Sequence, residues 1–191
     1  MSQKNLIIIT GSSGSGKTTI LDKIKKDYIH FSVNSIKEDL FNKYYEIKKE
    51  RLDLKTKEIY NSSSLNLFWK LLDKFMSKSI NIVVEYFFTH DQTANFNSLI
   101  TKYGYRCILI IVYVPKYQLL ERKIKRVESD KRHKGHYNHI GNKKKFLTIL
   151  KKKLEKTKKI DSEKDKEKYI ERYNLDLINS KTIIFDNSYK K

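Results

Sequence analysis

Residue types that reshape a chain are scarce in this one, and each scarcity excludes something. The single cysteine, Cys107, rules out an intramolecular disulfide. It lies in the apolar run Cys107–Val114, where a thiol packs as a small inert hydrophobe rather than serving as a nucleophile. One proline, Pro115, and six glycines are too few to mark an interdomain linker. A chain of 191 residues without internal repeats is therefore expected to form one domain, with or without an inserted lid. No apolar stretch approaches the roughly 18 residues of a membrane span, and the N-terminus carries no signal-peptide apolar core. The expectation is a soluble, cytoplasmic protein with no membrane contact. Neither N-K-x-D nor D-x-x-G occurs, which argues against a GTPase.

Acidic residues are also few: 22 Asp and Glu stand against 41 Lys and Arg, a net charge of +19. Residues 115–191 hold 24 of the bases and 11 of the acids, a net of +13, so the excess is concentrated in the C-terminal part. Such a balance suits polyanionic partners, either nucleic acid or phosphorylated small molecules. Abundant lysine, asparagine and isoleucine also fit a compositional bias, in which the charge is a solvated surface. The hydrophobic fraction of 39% is enough for an ordinary core.

Three of the few glycines fall within six residues. Leu6–Ile9 is an unbroken, β-branched run of strand length. Gly11, Ser12, Ser13, Gly14, Ser15 and Gly16 form a loop, and Lys17, Thr18 and Thr19 open an amphipathic helix that continues through Ile20, Leu21 and Ile24. Gly11, Gly16, Lys17 and Thr18 satisfy G-x-x-x-x-G-K-[ST]. Only glycine lets the backbone curl until successive N–H groups point at one anion, and the helix N-terminus adds partial positive charge. Lys17 would reach the β- and γ-phosphates of a nucleotide, and the Thr18 hydroxyl would hold Mg²⁺. A flexible Gly/Ser turn is the plainer alternative, but strand, loop and helix fall in the order that phosphate binding requires.

Further along, Tyr28–Val33 reads as a second strand, with Asn34-Ser35 as the cap of a helix bearing acids in its first turn. Residues 40–60 are helical in pattern, Asn61–Ser64 breaks the run, and Leu65–Phe75 forms another amphipathic helix whose Trp69 reads as packing. A third strand ends near Glu85, and a helix spans 92–102. A fourth strand spans Tyr105–Val114, helix 116–128 carries Arg122 and Arg126, and Ser129–Gly141 is a polar loop. Two lysine-rich helices fill 143–175, and Thr182–Phe185 is the last strand. Strands alternating with helices predict an α/β fold with a parallel sheet covered on both faces.

Ligands of such sheets bind at the carboxyl ends of the strands. The loop at Gly11, residues 34–39, Glu85 and Asp186–Ser188 all fall there. Arg122, Arg126 and Arg132 are suited to neutralising a moving phosphoryl group, because guanidinium forks match phosphate bidentately. His133 and His136, with His139 nearby, have no cysteine or ordered acidic set beside them. Phosphate contact or lid closure therefore suits them better than zinc.

The chain resembles P-loop kinases of the nucleoside-monophosphate-kinase-like superfamily, and more narrowly the ATP-binding phosphotransferases of zeta-toxin-like and polynucleotide-kinase-like type. The resemblance rests on Gly11–Thr18, Ile36–Glu38, Val83–Phe87, Arg122–Arg126 and the Arg-His-Lys-Gly-His run at Arg132–His136. It implies a five-stranded sheet of order 2-3-1-4-5, a substrate-side helical region at about 35–76 and a helical lid at about 122–145. It also implies ATP·Mg²⁺-dependent transfer to a hydroxyl or phosphate of a small-molecule acceptor. The alternatives are a polynucleotide 5′-hydroxyl kinase, favoured by the basic C-terminal part, and a non-enzymatic ATP-binding switch.

In this reading Lys17, Glu85, Arg126 and Arg132 are catalytic, and Thr18 with Glu85 manages Mg²⁺. Gly11 to Thr19, Arg122 and Asn187 bind the nucleotide, with Asp186–Ser188 near the adenine. Asn34, Lys37, Glu38, His133 and His136 face the acceptor. Two positions depart from the pattern. Asn34 stands where many relatives carry an aspartate, leaving Glu85, Glu38 or Asp39 as the base, or none. Lys134 replaces the usual lid proline.

Overall fold

The computed structural model describes residues 3–48, 54–86, 92–129, 143–157 and 163–188. The strands are β1 (Asn5–Thr10), β2 (Ile29–Ser32), β3 (Ile82–Glu85), β4 (Arg106–Tyr113) and β5 (Ser180–Asp186). They form one sheet of order β2-β3-β1-β4-β5, and every neighbouring pair is parallel. The helices are α1 (Lys17–Ile24), α2 (Val33–Lys48), α3 (Leu54–Ser77), α4 (Thr93–Tyr103), α5 (Lys116–Glu128), α6 (Lys143–Thr157) and α7 (Glu163–Tyr173). This is the α/β kinase-like architecture and strand order expected from the sequence.

Side chains alternate across a strand, so β1 feeds two cores. Leu6 and Ile8 join Val84 and Leu109 beneath Phe68, Leu72 and Met76 of α3, Phe96 and Ile100 of α4, and Tyr173 of α7. Ile7 and Ile9 face the other way, with Val83 and Val112, under Leu21 of α1. Truncating a fully buried leucine such as Leu72 to alanine costs about 2–5 kcal/mol. Trp69 belongs to this packing, its ring centroid 4.7 Å from that of Phe96 and 5.2 Å from that of Phe68. Cys107 is fully buried, and burial pushes its thiol up to about 12, the inert state expected of it.

Two local expectations fail. Helix α3 runs without interruption through Asn61–Ser64. Ser62 Oγ returns its hydrogen bond to the helix at Glu58 O (3.1 Å) and Ile59 O (3.0 Å), and Ser64 Oγ does so at Tyr60 O. The serines therefore satisfy themselves within the helix instead of ending it.

Helix α2 starts at Val33, so its cap is Ser32 rather than Asn34-Ser35, and its first turn holds no acid. Ser35 N donates to Ser32 Oγ at 2.9 Å and Ser32 N donates to Ser35 Oγ at 3.0 Å, a reciprocal capping box with serine at both positions. Asn34, Lys37 and Glu38 lie in the first two turns of α2, with Asn34 exposed.

Candidate active site

The loop between β1 and α1 is built on positive backbone angles that glycine tolerates: φ is 139° at Gly11, 90° at Gly14 and 97° at Gly16. Two of these positions also lack room for a side chain. A Cβ on Gly11 would meet Val112 O at 2.6 Å, and one on Gly16 would collide with the Asn187 amide.

Protein side chains take up the carbonyls of this loop. Lys17 Nζ donates to Gly11 O (3.0 Å) and Ser12 O (3.1 Å). Arg122 Nη1 donates to Gly14 O and Ser15 O, both at 3.2 Å, while Nη2 donates to Asn187 O at 2.8 Å. Asn187 Nδ2 donates to Ser15 O at 2.7 Å. Among the described residues, the backbone N–H groups of Gly14, Gly16, Lys17 and Thr18 have no such acceptor. The loop thus spends its acceptors on the protein and keeps donors for an anion.

Lys17 is buried beside Glu85, its Nζ 3.7 Å from Oε1. Glu85 Oε2 accepts a hydrogen bond from Thr18 Oγ1 at 3.2 Å. Burial holds the Lys17 ammonium below its ordinary range; the Glu85 carboxylate partly restores it, and the Arg126 charge opposes it again. Glu85 therefore joins the two loop residues expected to handle phosphate and metal, and Arg126 is close enough to act on Lys17 electrostatically.

The parallel register sets Ser32 opposite Glu85, so α2, with Asn34 in its first turn, leaves the sheet beside the Glu85 strand end. The hydroxyl of Thr18, the Glu85 carboxylate and the donor-lined loop suit Mg²⁺ with phosphate oxygens, since hard cations take oxygen ligands. Ser13 and Thr19 are exposed on the loop and first helical turn. Arg132, His133 and His136, and with them most of the expected lid, lie outside the described residues.

Helix α7 reaches this loop, which the sequence reading did not anticipate. Tyr169 Oη accepts from Ser12 N at 2.6 Å and donates to Val112 O at 2.9 Å, and Tyr173 Oη lies 3.1 Å from Ser12 Oγ. The available signal was two tyrosines four residues apart in a helix that is otherwise charged apart from Ile170.

A parallel sheet of this order, with a glycine loop and its lysine at the end of the central strand, defines the P-loop kinase-like class. Within it, the profile described as Zeta toxin matches residues 1–183, and the chain belongs to that family. Among solved structures, the chain is similar to a provisionally assigned kinase from Chloroflexus aurantiacus J-10-fl. The TM-score is 0.72 at 18% identity, covering 98% of this chain and 90% of that one. It is also similar to a structure from the PezAT chromosomal toxin–antitoxin system of Streptococcus pneumoniae. There the TM-score is 0.53 at 22% identity, covering 79% of this chain and 64% of that one. A search of curated proteins returns no match. Family and fold together support phosphotransferase chemistry.

Proposed function

We propose that the chain transfers the γ-phosphate of ATP, with Mg²⁺, to a hydroxyl or phosphate of a small-molecule acceptor. The observation that carries this reading is the convergence of Lys17 and Thr18 on the two oxygens of Glu85, at the mouth of a loop lined with N–H donors. When bound, Mg²⁺ would supply positive charge to offset the negative charge developing on the phosphates. Thr18 and Glu85 would hold it. Lys17 would sit on the β- and γ-phosphates, and Arg126 and Arg132 would draw charge from the moving phosphoryl group. Arg122 and Asn187 shape the nucleotide loop, and Asp186–Ser188 would border the adenine.

The acceptor would bind against α2, where Asn34, Lys37 and Glu38 lie, under a lid carrying His133 and His136. Asn34 can orient a hydroxyl but cannot take its proton. The proton would then go to Glu85, Glu38 or Asp39, or the transfer would need no base.

A γ-phosphate transfer screen across nucleosides, sugars, antibiotics and 5′-hydroxyl oligonucleotides tests the reading. Label on a small acceptor, at a rate insensitive to salt, supports it. The net +13 of residues 115–191 favours a second reading, a polynucleotide 5′-hydroxyl kinase. In that case, labelling of oligonucleotides should fall steeply as salt rises. Nucleotide binding with no acceptor labelled at all would leave an ATP-binding switch.

A further inference from the structure

We propose that α7 is the positioning element of the phosphate loop, acting through Tyr169 and Tyr173 at one end and through Lys166 at the other. The proposal rests on the reading of that loop as the nucleotide site.

The Tyr169 phenol sits between two backbone groups and serves both. It accepts the Ser12 N–H at 2.6 Å and gives its own proton to Val112 O on β4 at 2.9 Å. The loop is thereby tied to the strand next to β1 by one side chain with a defined direction of donation. Gly11 eases the approach, because a Cβ there would press on Tyr169 Oη at 3.1 Å.

Tyr173, one turn on, places its hydroxyl 3.1 Å from Ser12 Oγ, and the two rings pack with centroids 4.7 Å apart. Tyr113 meets Tyr169 edge-on at 5.2 Å, which restrains the ring that carries the bridging hydroxyl. Burial raises the Tyr169 pKa, which keeps the phenol protonated and able to donate.

At the other end of the loop, Lys166 Nζ pairs with Asp186 Oδ2 at 2.8 Å. The next residue, Asn187, holds Ser15 O through its amide. One helix more than 150 positions away in the chain thus touches both ends of the phosphate loop, Ser12 by direct contact and Ser15 through Asp186–Asn187. Small displacements of a phosphate cradle are expensive. A shift of about 1 Å at a reacting centre can cost on the order of 10²-fold in rate, and support from surrounding residues is what prevents it.

The test compares the full-length protein with Tyr169→Phe, Tyr173→Phe and Tyr105→Phe. Tyr105 gives a buried hydrogen bond to Ile80 O at 2.7 Å, away from the loop, and so reports the general effect of losing such a bond. Binding of a fluorescent ATP analogue with Mg²⁺ is measured beside thermal unfolding and amide hydrogen exchange. Tyr169→Phe should weaken analogue binding by about tenfold or more, and Tyr173→Phe by less. Tyr105→Phe should lower the melting temperature without changing affinity.

Amide exchange at Ser12 should quicken in Tyr169→Phe alone. Unchanged affinity in Tyr169→Phe, or an equal loss of affinity in Tyr105→Phe, overturns the proposal. If the parent protein binds no analogue, the kinase reading fails, and exchange alone then decides. Faster exchange at Ser12 to Ser15 in Tyr169→Phe upholds the positioning role, and unchanged exchange ends it.

Discussion

Thr18 Oγ1 donates a hydrogen bond to Glu85 Oε2 at 3.2 Å, joining residues 67 positions apart. The parallel pairing of β1 with β3 makes this contact, because Ile9 registers with Glu85 and the loop leaves β1 one residue later. A hydroxyl and a carboxylate so placed can share one hard cation. Replacing Glu85 by glutamine keeps the shape and removes the charge. We expect turnover to fall on the order of 10²-fold or more, with a raised Mg²⁺ requirement and an unchanged circular-dichroism spectrum. A magnesium titration of initial rates checks this.

Lys17 carries a conflict between function and stability. Its buried ammonium has a pKa below the ordinary 10.5, chiefly through desolvation. Between that lowered value and 10.5, the unfolded chain binds more protons than the folded one, so unfolding free energy rises with pH across the window. In Lys17→Met this rise should vanish, while stability near neutrality should fall by about 1–3 kcal/mol as Glu85, Gly11 O and Ser12 O lose their donor. ATP turnover should be lost. Denaturant titrations at several alkaline pH values, beside a phosphate-release assay, measure both.

Arg122 makes three hydrogen bonds to carbonyls from one guanidinium. Lysine supplies charge but no planar fork, so Arg122→Lys cannot span Gly14, Ser15 and Asn187 together. We expect stability to fall by about 1–3 kcal/mol and nucleotide affinity by about tenfold. Thermal melts with and without MgATP separate the two effects.

Asn34 lies exposed in the first turn of α2. Aspartate there faces the positive end of the helix, which favours the variant by about 0.3–1 kcal/mol. Asn34→Asp should retain or raise transfer activity, since a carboxylate beside the acceptor can also take a proton. A complete loss of activity would count against placing the acceptor at this turn.

The phosphate loop was legible because glycine, at positions demanding φ of +90° or more, or close approach, writes backbone conformation directly into sequence. The strands were legible as short β-branched runs, and their spacing by helices led to a parallel sheet. Side chains that choose between local and distant partners were not. Ser62 and Ser64 read as a break because serine competes for backbone hydrogen bonds, yet here it competes within the helix. Ser32 lies in strand β2 as expected, but its reciprocal pairing with Ser35, which also makes it the cap of α2, left no sign in the sequence. Tyr169 and Tyr173 carried no local sign of Ser12, because that contact depends on where β4 and β5 set the last helix.

The cradle made by Gly11 to Thr18 is a surface of peptide groups, and peptide groups do not ionise in the range where proteins survive. Its donor count is the same in acid and in alkali. Any pH dependence the protein itself adds to phosphate handling comes from side chains around the loop, with the buried Lys17 ammonium foremost. The loop itself contributes a fixed array of backbone dipoles whose strength does not change with pH.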